Sequence, residues 1–164
     1  MKIALCHLEL SCGPQERNLQ LLEQAVRLAA EQGAEWVLTP EAAVQGYYFY
    51  YINKNAVVAP QPSTELEPLC KLCREYGITL FLGCGEYDAA CDKNFNSCLV
   101  FGPDGELIGR HRKLFGGKVG AEAWADKGDA PLCFHATVCR QACWCAPICG
   151  SRNIMREPRH TVPK

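Results

Sequence analysis

From Lys2 to Leu10 a period-two pattern runs through Ile3, Leu5 and His7, and the intervening Ala4, Cys6 and Leu8 are apolar as well. Apolar residues in both phases predict a strand buried on both faces. The period then lengthens. Leu19, Leu22, Ala25, Val26, Ala29 and Ala30 recur at three and four, Pro14 suits a first helical turn and Gly33 a stop, so the spacing predicts a helix over about 14–32. Trp36-Val37-Leu38-Thr39 predicts a second buried strand, and strand, helix, strand in that order predicts a parallel βαβ unit. Residues 41–62 hold Tyr47, Tyr48, Phe49, Tyr50, Tyr51 and two prolines, which predicts a long irregular loop leaving the end of that strand. Long loops at such places often carry function.

Ser63 stands as a cap before Glu65, Leu66, Leu69, Leu72 and Tyr76 at helical spacing, and Gly77 ends that helix. A third strand is expected at Ile78-Thr79-Leu80-Phe81-Leu82-Gly83, then an antiparallel hairpin in which Ser97 to Phe101 and Glu106 to Gly109 flank the turn Gly102-Pro103-Asp104-Gly105. The expected fold is layered α/β: a mixed sheet with helices on one face, the other face requiring a partner layer. Regular patterning ends near residue 138. Residues 1–138 are expected to form one ordered body, and 139–164 a Cys- and Arg-rich tail of irregular structure, interrupted by two prolines beyond Asn153.

Charge narrows the functions available. With 17 basic and 18 acidic residues the net charge is −1, giving no field to attract nucleic acid or an anionic membrane. The apolar runs fall short of the ~20 residues of a membrane helix, and the first residues open a strand pattern where a signal peptide would need a longer apolar core. A cytoplasmic protein is expected, in which the 12 cysteines stay reduced and act as core residues, ligands or nucleophiles. Cys70 and Cys73 have the spacing of a redox pair but lie within a helical pattern, where core packing accounts for them better. His7, His111 and His135 are isolated in sequence and read as structural.

Two positions suggest chemistry. Glu41 follows Thr39-Pro40 at the carboxyl end of the second strand, where ligand sites of α/β sheets lie, and suits a general base; a solvated loop carboxylate is the alternative. Lys113 closes Arg110-His111-Arg112-Lys113 at the end of the hairpin, where a charged strand end is the alternative. Taken jointly, Thr-Pro-Glu-x-x-x-x-Gly-Tyr after a strand and Gly-Pro-Asp-Gly-Glu-Leu-Ile-Gly-x-x-x-Lys later resemble the nitrilase or carbon–nitrogen hydrolase superfamily over residues 1 to about 138. The resemblance implies an α-β-β-α sandwich, here incomplete, and hydrolysis of a nitrile, amide or N-carbamoyl compound by a Glu, a Lys and a Cys. The Cys attacks carbon, the Glu is general base and acid, and the Lys stabilises the developing charge. Glu41 and Lys113 fall on the Glu and Lys motifs, Glu122 looks like a further Glu that positions substrate, and Gly128-Asp129 matches a Gly-Asp before the nucleophile strand. No metal and no cofactor are implied. The partner implied is a small nitrile or amide, with neither nucleic acid nor membrane, and a full-length chain is expected to form homo-oligomers.

The third residue is the difficulty. The family carries its Cys at the end of a buried strand, in a context such as Gly-Val-Leu-Val-Cys-Ala-Asp. This chain instead reads Val138-Cys139-Arg140-Gln141-Ala142-Cys143-Trp144-Cys145-Ala146-Pro147-Ile148. Codons CAG-GCG-TGC-TGG-TGT-GCG-CCG-AT for Gln141 to the start of Ile148, read from the third base, give GGC-GTG-CTG-GTG-TGC-GCC-GAT, which spells that motif. Loss of one base after Arg140 would produce the observed residues. The nucleophile would then have stood at position 146, now Ala146, 33 residues beyond Lys113. Cys145 is the neighbouring thiol and the candidate nucleophile that remains. The expectation is therefore a truncated, frame-shifted and inactive carbon–nitrogen hydrolase. Its alternatives are a non-catalytic fragment acting through association, and a small zinc-binding protein built on Cys139, Cys143, Cys145 and Cys149.

Overall fold

The computed structural model describes residues 1–115 and 120–129, and the backbone alone of two further short strands. Its elements are β1 (Ile3–Leu5), α1 (Gln15–Glu31), β2 (Trp36–Leu38), α2 (Phe49–Ile52), α3 (Glu67–Tyr76), β3 (Thr79–Asp88), β4 (Lys93–Phe101), β5 (Leu107–Arg112), β6 (Cys133–Ala136) and β7 (Cys139–Cys143). The first five strands form one sheet in the order β1-β2-β3-β4-β5. β1, β2 and β3 run parallel, β3, β4 and β5 antiparallel, so the sheet is mixed as expected.

Alternation along β3 sends Leu80, Leu82 and Cys84 to one face, where they meet Leu22 and Val26 of α1 and Leu69, Leu72 and Cys73 of α3, all buried. This is the main core, and both long helices lie on that face. Cys70 and Cys73 belong to it, with burial pushing the Cys73 thiol up to about 12, far from a thiolate at neutral pH. On the opposite face Trp36, Leu38, Phe81 and Val100 form a second cluster, the Trp36 and Phe81 rings 5.2 Å apart.

Several local expectations are corrected. β1 is three residues long and is an edge strand; Ile3 and Leu5, 47% and 75% exposed, project on the second face, so the strand is not buried on both sides. Its partner β2 is the strand with every residue buried. Ser63 precedes a 3-10 turn at Thr64–Leu66 without making a side-chain cap; Gly77, at φ 65°, closes α3 as expected and donates its N–H to Cys73. The 41–62 segment contains the short helix α2. β3 continues to Asp88 and pairs with β4 over nine positions, a hairpin that the sequence pattern did not reveal. β6 and β7 pair antiparallel as a separate two-stranded ladder, with Cys133 opposite Cys143.

Candidate active site

The site grows from the end of β2. Thr39 ties the chain to β3 three ways: its N–H donates to the Phe81 carbonyl (3.0 Å), its hydroxyl donates to the same carbonyl (3.2 Å), and that hydroxyl accepts the Gly83 N–H (3.0 Å). Pro40 and Glu41 then cross the second face of the sheet at contact distance from Gly83. A Cβ on Gly83 would lie 2.2 Å from the Pro40 carbonyl oxygen and 3.1 Å from the Glu41 Cα. Only glycine admits this crossing. Ala42 turns the chain with φ 49°, the Val44 N–H reaches the Gly83 carbonyl, and Gln45 Oε1 accepts the Gly85 N–H at 2.7 Å. The loop bearing Glu41 is thus held along its length by β3.

Lys113 comes from the far edge of the sheet, just past β5. Its N–H donates to the Asn96 carbonyl of β4 (2.8 Å) and its own carbonyl accepts from Gly128 (2.9 Å), which fixes the backbone just past β5. Glu122 ends a 3-10 turn, Gly120–Glu122, anchored by the adjacent Trp124, whose ring lies 5.0 Å from Phe49 and contacts the buried Val58.

These elements bring three of the expected residues together. Lys113 Nζ lies 2.6 Å from Glu41 Oε1 and donates as well to Glu122 Oε1. Asn96, which the sequence reading overlooked, donates its Nδ2 hydrogens to the same two oxygens, at 2.6 Å to Glu41 and 3.0 Å to Glu122. The Lys113 and Glu122 side chains are 18% and 13% exposed, Glu41 34%. A signal for Asn96 was present: in Phe95-Asn96-Ser97-Cys98-Leu99-Val100 it is a polar amide in strand phase with Cys98 and Val100.

Two carboxylates face one ammonium, and the surplus negative charge shapes their protonation. Burial, and then the neighbouring Glu122, push Glu41 above the ordinary carboxylate range against the pull of Lys113. Burial alone would raise Glu122 too, but its bonds to Glu41, Lys113 and Asn96 outweigh that and hold it below the range. Burial works against the charge on Lys113, yet the two glutamates together raise its pKa. Tyr47 stands in the same field: burial, then Glu122 and Glu41, raise its phenol. The pair of glutamates therefore separates into one that holds a proton more readily and one that stays ionised, beside a fixed cation.

Cys145 and Ala146 lie outside the described residues, as do the side chains of Cys139, Cys143 and Cys149. Among the described residues no group of His, Cys, Asp and Glu is arranged to hold a metal, and no helix is long and apolar enough to cross a membrane. His111 is half-buried opposite Cys98, and burial lowers its pKa.

A mixed five-stranded sheet with both long helices on one face is an incomplete nitrilase-like α/β fold. Residues 2–134 match the carbon-nitrogen hydrolase family, and the chain belongs to it. Omega-amidase NIT2-A of Xenopus laevis is 38% identical over 97 residues, covering 59% of this chain and 34% of that protein. Among solved structures, Saccharomyces cerevisiae Nit3, of the nitrilase superfamily, superposes with TM-score 0.71 and 26% identity, covering 84% of this chain and 52% of that one. An amidase from Nesterenkonia sp. gives TM-score 0.68 and 26% identity, covering 83% and 51%. The chain thus spans about a third of the length of the first relative and about half that of the solved structures.

Proposed function

We propose that this chain carries the acid–base and charge-stabilising part of an amide-hydrolysing site, with Glu41 as general base, Lys113 as oxyanion partner and Glu122 positioning both lysine and substrate. The observation that carries the reading is Lys113 Nζ held between Glu41 Oε1 and Glu122 Oε1. In the complete reaction a thiol attacks the amide carbon as its proton passes to Glu41, and the carbonyl oxygen takes up negative charge beside the Lys113 ammonium. Collapse of that intermediate breaks the C–N bond, with the proton on Glu41 going to the departing nitrogen, which leaves as amine or ammonia. Water, deprotonated by Glu41, then cleaves the thioester to acid and free thiol. A small-molecule amide is the substrate class, supported by relatives named as omega-amidases and by the Nesterenkonia amidase, one structure of which shows acrylamide added to its active-site cysteine.

The nucleophile is the step this chain lacks. Position 146 is alanine, and Cys145 sits one residue from the place a restored frame gives to cysteine. The chain as written hydrolyses amides negligibly, since the covalent route vanishes with its nucleophile and residues acting as a unit do not substitute for one another. A reducing cytoplasmic setting agrees with the free thiols of Cys6, Cys12, Cys70, Cys73, Cys84, Cys91 and Cys98, and the exposed Ile3 and Leu5 on an edge strand favour self-association. The test is to insert one base after codon 140, continue the downstream frame, and assay small amides with and without a thiol-blocking reagent. The repaired protein gives thiol-dependent turnover and the unrepaired chain none. Turnover by the unrepaired chain that survives Cys145→Ala overturns the placement of the nucleophile.

A further inference from the structure

Asn96 adds to the two glutamates and Lys113 a donor that carries no charge. Its side-chain nitrogen has two hydrogens, and both are used: one goes to Glu41 Oε1 at 2.6 Å and the other to Glu122 Oε1 at 3.0 Å. Lys113 Nζ donates to the same two oxygens. The four groups close a ring in which carboxylate oxygen alternates with nitrogen donor. Because both acceptors are carboxylates, the amide can sit only with its NH2 toward them; its carbonyl in that place would face two anions.

The residue itself is fixed. It is 5% exposed, its carbonyl accepts the Lys113 N–H, and it lies opposite Gly85, whose N–H is bound by Gln45 of the Glu41 loop. An amide nitrogen neither gains nor loses a proton near neutral pH, so its hold persists whichever carboxylate carries one. Both donors that reach Glu41 converge on Oε1, and no donor among the described residues reaches Oε2.

We infer that Asn96 is a positioning residue that, together with Lys113, occupies Oε1 of Glu41 and leaves Oε2 as the oxygen that takes the proton from the nucleophile and returns it to the leaving nitrogen. This rests on Glu41 being the general base. A donor on Oε1 keeps that oxygen's lone pairs engaged and fixes the carboxylate plane, so the proton travels through one defined atom.

The test needs no turnover. The full chain, labelled with 13C at glutamate side-chain carboxyls, is titrated by NMR as wild type and as Asn96→Leu, which keeps the volume and removes the donor. A lost donor to an ionised carboxylate moves the Glu41 titration upward by about half to one pH unit. If the leucine variant lacks the wild-type circular dichroism, Asn96→Ala, which adds no bulk, decides in its place. A Glu41 curve that overlays the wild type in a folded variant overturns the inference, and a lowered unfolding midpoint without that displacement marks Asn96 as structural only. Failure of the general-base reading shows elsewhere: repaired protein that keeps its turnover as Glu41→Gln would leave the hold of Asn96 on Glu41 standing while removing its catalytic meaning.

Discussion

Two clusters of carboxylates and cations lie back to back on β3, β4 and β5, one on each face of the sheet. On the helix side Glu86, 2% exposed, accepts from Arg110 at 3.2 Å, from Arg112 through two nitrogens and from the Ser97 hydroxyl at 2.6 Å, while Asp88 takes Arg112 at 2.8 Å. Two guanidinium groups meet two carboxylates, and Arg112 also lies 4.0 Å above the Phe95 ring. On the other side Glu41 and Glu122 share one ammonium and one amide. Balanced charge with fork-like donors makes the first cluster a set of ion pairs in which each partner fixes the other. A surplus of one negative charge makes the second a place where a proton can rest and leave. The same strands serve both because alternate residues face opposite ways: Arg112 looks to the helices, Lys113 to the site.

The largest effect expected from this contrast is on turnover in the repaired protein. Lys113→Met removes the ammonium proposed to face the developing oxyanion and should lower kcat by about 1000-fold. Arg110→Met, on the balanced side, should change kcat by less than about tenfold. Comparable losses of kcat in the two variants, measured under saturating amide, would mean that the two clusters do not divide chemistry from support.

Stability should divide the other way. Glu86→Gln leaves two largely shielded guanidinium groups facing a neutral amide, and breaking such a pair costs about 3 kcal/mol. Glu41→Gln relieves the like-charge contact with Glu122 and should be neutral, or stabilising by up to about 1 kcal/mol, as expected if the residue serves the proposed chemistry. Urea unfolding of the two variants decides; a Glu41→Gln loss as large as that of Glu86→Gln would place both clusters in the structural class.

How much of this was legible in the sequence depends on how local each signal is. α1 and β2 were readable because their apolar period lies within one element. The exposure of β1 was not: Ile3 and Leu5 have the composition of a buried strand, and only the sheet order shows that nothing among the described elements pairs with its outer edge. The β3–β4 hairpin was hidden because Cys84-Gly85-Glu86-Tyr87 does not alternate apolar with polar, each residue serving a different neighbour: Cys84 the core, Gly85 the Gln45 side chain, Glu86 the arginines. Glu41, Lys113 and Glu122 were singled out through motifs, while Asn96 showed in the sequence only as a polar amide in strand phase, and its partners, like those of Gly83, come from 55 and some 40 residues away. The Glu86 cluster was missed for the same reason.

The smallest effect, and the most specific, is in the pH dependence of stability. A carboxyl whose pKa is raised on folding holds its proton in the native state over a range where the unfolded chain has already released it, so stability falls as pH rises through that range. Glu41 is such a group, and its range runs upward from the ordinary value of 4.5. Glu122, lowered from the same value, acts oppositely, its contribution being lost as pH falls below 4.5. The wild-type chain should therefore lose a fraction of its stability as pH rises above about 4.5 that Glu41→Gln does not lose. Measured as the difference in urea midpoint between variant and wild type, the gap should be smallest below pH 4.5 and widen as pH rises above it, until Glu41 is ionised in the folded chain as well. A gap for Glu41→Gln that stays flat across that range would show that the surplus charge at the site is neutralised by something other than a proton on Glu41.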